Sequence, residues 1–121
     1  MTFLSELKQQ FDAEDNTFLM TIRDELYWNW DQFFSLSSLM YQVADTFHHQ
    51  EEIDKWIAEG FWFCDTWIRE WTMHSNFPQP SPEQHEGALN LIHDLAFYLF
   101  QGENPYLDDS LRLKALRKMN L

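Results

Sequence analysis

Glycine and proline are scarce in this chain, 3 and 4 among 121 residues, and the prolines gather in two places. Long stretches therefore run without a breaker, which favours helices over many short strands. One cysteine, Cys64, excludes an internal disulfide and fits a reducing compartment. The opening MTFLSELKQQFDAED has no charged segment followed by an apolar run, so no signal peptide is expected. Acids or amides interrupt every window before it reaches the roughly 18 apolar residues of a spanning helix. A soluble, cytoplasmic protein is expected.

Positive charge is the next scarcity. Eight bases face 20 acids, a net charge of −12. Residues 1–111 hold all 20 acids and four bases (Lys8, Arg23, Lys55 and Arg69), or −16, whereas Arg112, Lys114, Arg117 and Lys118 give the last ten residues +4. Such a field repels nucleic acid and anionic membranes and attracts basic proteins. Fold-back of the basic end onto the acidic body is expected.

What the chain does have is apolar and aromatic side chains, 45% and 17% of residues, enough to offset the entropy of ordering one domain of this length. Their spacing predicts helices and no strand-like alternation. The first spans about Thr2 to Phe11, with Phe3, Leu4, Leu7 and Phe11 on one face. The second begins near Thr17, with Asn16 as its cap, and aligns Phe18, Leu19, Ile22, Leu26 and Trp30. The third covers about Leu36 to His49 behind Ser35, and the fourth Glu51 to His74. The fifth opens on Ser81-Pro82-Glu83-Gln84, a cap, a first-turn proline and a reciprocal partner in register, and stops before Gly102. A sixth is predicted near Asp109 to Met119. Short connections imply antiparallel neighbours. The expectation is one all-α domain over residues 1–121, a compact antiparallel helical bundle of five to six helices centred on the fourth and fifth.

The segment GFWFCDTWIREW (60–71) packs five aromatic rings into twelve positions. At about 100° per residue, Ile53, Trp56, Ile57, Gly60, Phe63, Cys64, Trp67, Ile68 and Trp71 fall within one broad apolar arc. Inside it, Ile53, Ile57, Gly60, Cys64, Trp67 and Trp71 form a seam, so Phe63, Trp67 and Trp71 read as mostly core. The small Gly60 and Cys64 leave room there for a close helix or a large ring. Trp62 lies about 200° from Gly60, on the arc that also holds Asp65 and Arg69. Tyr27 and Trp28 likewise fall off the apolar stripe of the second helix. A Trp on a polar arc is either covered by another segment or built for contact. Trp28, Trp62, Tyr27, Asp65 and Arg69 are therefore the candidate partner-binding residues.

Little else carries chemistry. His48, His49, Glu51 and Glu52 read as a solvated turn. His74 and His85 are weak metal candidates, since the loop between the fourth and fifth helices would bring both to one end of the bundle; structural histidines meeting backbone groups are the plainer reading. Cys64, mid-seam, should be inert because burial disfavours the thiolate. No nucleophile elbow or phosphate loop occurs, and no cofactor is expected.

Small acidic helical domains occur among immunity proteins that neutralise nucleases and among nucleic-acid mimics; the likeness is one of size and charge. The expected function is thus non-enzymatic: an acidic protein binding a basic protein partner, most concretely an immunity or inhibitor protein for a nuclease-like toxin, monomeric or homodimeric. The alternatives are a bundle binding a metal or ring cofactor at the His74/His85 end, and a structural subunit of a homo-oligomer.

Overall fold

A computed structural model describes residues 2–102. Within them the chain forms five helices and no strand: α1 (Thr2–Phe11), α2 (Phe18–Met20), α3 (Trp30–Phe47), α4 (Lys55–Thr72) and α5 (Pro82–Gln101). The all-α bundle expected from the sequence is what is found. The sixth helix and the four bases of the last ten residues lie outside the described residues.

Local signals explain several boundaries. Ser81 Oγ accepts from the Gln84 N–H at 3.4 Å and Pro82 stands in the first turn, so α5 starts where the sequence placed it. Gly102, left-handed at φ 73°, closes α5 by donating its N–H to the Tyr98 carbonyl at 3.1 Å. Thr17, rather than Asn16, caps α2 through its own hydroxyl oxygen.

The second and third helices differ from the sequence reading. α2 widens after Met20 into a π turn over Thr21–Glu25 and ends at Leu26, which is left-handed at φ 51°. That reversal carries Trp28 inward, and Asn29 then caps α3 by accepting from the Gln32 N–H at 3.0 Å. α3 therefore begins six residues before the predicted Leu36, and Ser35 lies inside it. α4 is shorter than predicted, and Ile53 precedes it.

The core centres on Leu7, Phe18, Ile22, Phe33, Leu36, Met40, Phe61, Ile68, Leu91 and Leu95, all within 1% of full burial. Burying such side chains supplies the main driving force, about 1.5–3 kcal/mol each. α5 is the central element, packed on both α3 and α4, while α1 covers α3. Cross-contacts give the directions. Thr72 meets His85 and Asp65 meets His93, so α4 and α5 are antiparallel. Trp28, just before α3, meets His85, while Asp45 meets Tyr98 farther along both helices. α3 thus runs parallel to α5. The sequence neighbours α4 and α5 are antiparallel, whereas α3 packs on the non-neighbour α5 in the other sense.

Candidate functional site

α4 presents its inner line to the core through Ile57, Phe61, Cys64, Ile68 and Thr72. This face is rotated from the predicted seam toward Phe61 and Ile68. The reason sits at Gly60. A side-chain carbon there would collide with the Phe11 ring, which lies directly against the α4 backbone. Phe11 also packs edge-on to Trp56 at 6.2 Å and to Phe61 at 5.9 Å between centroids. The space the sequence left at Gly60 for a close helix or a ring is filled by α1.

Along the flank beside this contact, Phe63, Trp67 and Trp71 stack as a staircase. Their centroids are 5.2 and 5.4 Å apart, with interplanar angles of 17° and 18°. Spacing of four residues places side chains one turn apart on the same helix face, and flat rings at that separation stack. Phe63 is 40% exposed, contrary to the expectation of a core residue; Trp67 and Trp71 are half-buried against the core. The top of the staircase is fixed. Trp71 Nε1 donates to the Ile22 carbonyl, 2.7 Å away in the π turn.

Each end of the staircase opens into a hollow. At the Phe63 end, a groove of about 530 Å³ is walled by Phe11, Trp56, Trp62 and Phe63, with Asp12 and Glu59 among its polar atoms. Trp62 is 63% exposed, the most exposed Trp in the described residues. At the Trp71 end, a cleft of about 280 Å³ is lined by Leu26, Trp71, His74, Asn76 and Phe77. Its Leu26 holds a left-handed backbone that costs a non-glycine residue about 1–3 kcal/mol, and strain of this kind collects at binding sites. Tyr27, 58% exposed, follows it in the chain. The two hollows and the staircase make one aromatic face.

No known protein family, curated protein or solved structure matches this chain. The site is therefore read from its own geometry.

Of the five residues proposed for partner contact, Trp62 and Tyr27 are exposed. Trp28 is not. It is 5% exposed, edge-on to Phe18 at 4.9 Å and to His85 at 5.2 Å, because the π turn and the left-handed Leu26 swing it into the core. Asp65 and Arg69 lie on the side of α4 facing α5, where Asp65 takes His93 at 3.2 Å and Arg69 approaches Glu86 at 3.9 Å. They bridge two helices, away from the aromatic staircase. The sequence had assigned Phe11 to a core stripe and left Trp56 within a broad apolar arc; the signal that could have marked them is that α4 carries more large rings than one buried arc can hold.

His74 and His85 have separate surroundings. His85 is buried, with Nε2 at 2.8 Å from Thr72 Oγ1, whose hydroxyl donates to the Ile68 carbonyl at 2.7 Å. The hydroxyl proton is thereby committed, so His85 donates from Nε2. Burial pushes the imidazole below its ordinary pKa; Glu86 opposes this and Arg69 adds to it. His74 is exposed, its Nδ1 accepting from the Asn76 N–H at 3.2 Å. Among the described residues, no group of three or more His, Cys, Asp or Glu could hold a metal ion. Cys64 is fully buried and its thiol pKa is pushed far up, first by burial and then by Asp65. No helix among the described residues is long and apolar enough to cross a membrane.

The electrostatic surroundings are one-sided. Residues 2–102 carry 17 acids and four bases, a net of −13. Every one of those bases is already paired: Lys8 with Asp12, Arg23 with Asp24, Lys55 with Glu59, and Arg69 with Glu86. The carboxylates left over set the field.

Proposed function

We propose that this is a non-enzymatic interaction protein whose aromatic α4 face binds a basic protein partner, most concretely as a cytoplasmic immunity or inhibitor protein for a nuclease-like toxin. The observation that carries the reading is Trp62, a large ring left 63% exposed beside the exposed Phe63 on a strongly acidic domain. Exposed Trp is a costly feature for a monomer's surface and a common anchor of binding energy. The excess of carboxylates would steer a basic partner toward the molecule, while the rings would supply affinity at short range. Steering speeds encounter; anchors slow release.

The test is capture from native extract on immobilised wild-type and Trp62→Ala protein, washed with rising salt. A basic protein held by the wild type, released by salt and weakened about 30-fold or more by Trp62→Ala supports the reading, the size being that of a hot-spot truncation. Unfolding midpoints of the two proteins should agree within about 0.5 kcal/mol, as for other exposed substitutions. Equal capture by both, or no basic protein captured, overturns it. If a captured protein is a nuclease, its activity with and without this chain tests the inhibitor form.

A further inference from the structure

We infer that the groove between α1 and α4 is a receptor for an arginine side chain of that basic partner. The inference rests on the reading above and names the side chain its site would take.

The groove already seats a cation of its own chain. Lys8 Nζ stands 5.6 Å from the centre of the Trp56 ring while also 3.4 Å from Asp12 Oδ2. A π face with a carboxylate beside it is the chemistry that attracts a desolvating cation. The second carboxylate, Glu59, holds Lys55 at 3.7 Å. Both arrangements are loose. The side chains of Lys8 and Asp12 are 55% and 51% exposed, and those of Lys55 and Glu59 are 89% and 64% exposed. Exposed lysine–carboxylate pairs are among the weakest contacts a protein makes, so an incoming cation displaces them at small cost.

Arginine suits the vacated seat better than lysine does. Its planar guanidinium stacks flat on an aromatic wall, loses hydration more readily than an ammonium, and meets a carboxylate through two parallel N–H bonds. The groove offers Trp56, Trp62 and Phe63 for stacking, with Asp12 and Glu59 to accept. Phe11, wedged against Gly60, closes its floor toward the core. The excess of 13 acids over bases in residues 2–102, with all four bases paired, keeps the surrounding field favourable to a positive side chain. Lys8 is a competitor for the site.

The indole N–H signals of the Trp residues, followed by NMR, read the site directly. The titrants are capped Gly-Arg-Gly, Gly-Lys-Gly and Gly-citrulline-Gly peptides, citrulline keeping the shape of arginine without its charge. The arginine peptide should shift Trp56 and Trp62 and leave Trp71 unmoved. The lysine peptide should bind several-fold more weakly, and the citrulline peptide about 10-fold more weakly or worse. Lys8→Gln should tighten the arginine peptide about two-fold by removing the competitor, and Trp62→Ala should abolish its shifts. Citrulline binding as well as arginine, shifts centred on Trp71, or Lys8→Gln leaving affinity unchanged or weaker would each overturn the inference. If the groove signals stay still while Trp62-dependent capture of a basic protein persists, the arginine assignment falls and the interaction reading stands.

Discussion

Trp28 and His85 meet ring to ring at 5.2 Å, nearly perpendicular, beneath the turn that joins α2 to α3. Each is buried, and each belongs to the packing. Trp28→Ala would leave a void bounded by Phe18, Trp30, Phe33 and His85, at a cost of about 3–5 kcal/mol. Chemical denaturation should show that loss, where Trp62→Ala shows almost none. The contrast between two tryptophans measures the difference between core and surface. His85 has a different signature. Its folded-state pKa is depressed, so the unfolded chain takes up the proton first as pH falls. The stabilisation from the neutral imidazole is complete above about pH 6.5 and declines as pH drops from there through the lowered folded value. Denaturation midpoints measured between pH 5 and pH 8 should therefore slope downward on acidification more steeply in the wild type than in His85→Gln. Equal slopes would mean that this imidazole does not titrate differently on folding.

Among the elements, α1 and α4 are joined at a position where a glycine makes the contact possible. Gly60→Ala forces the Phe11 ring out of its seat, since the new methyl group would occupy the space the ring fills. The expected cost is about 1–3 kcal/mol, as for other overpacked contacts, read from the denaturation midpoint together with a changed environment at Trp56. α5 was legible in the sequence because its signals are local: Ser81, Pro82 and Gln84 fix a start within four residues, and Gly102 fixes a stop. The start of α3 was not legible. It depends on the left-handed turn at Leu26 and on the burial of Trp28, neither of which periodicity encodes. The helical character of α4 was plain, yet its buried face was misplaced, since counting apolar residues treats Trp67 and Ile68 alike. The bundle put Ile68 inside and left the larger ring at the flank, where one face packs and the other meets the surface. Trp62 stood out because its position fell on a polar arc. Trp28 stood out for the same reason and went inward, because its own segment is not a regular helix at all.

For the molecule as a whole, α5 is the axis on which α3 and α4 lie in opposite senses, and the acidic exterior surrounds a core of aliphatic and phenylalanine side chains. In the function proposed above, the charge excess would act at distance and the aromatic face on contact, so the two features would address different stages of an encounter. A last consequence belongs to Cys64, which is fully buried and is the sole sulfhydryl in the chain. A thiol reagent has no other target here and cannot reach this one while the core is closed. Modification should run on the order of a thousand-fold slower than in the denatured chain, with a rate set by how often the interior opens. Gly60→Ala and Trp28→Ala should each quicken it in proportion to the stability they remove. The lone cysteine thus serves as a built-in clock for the breathing of the bundle.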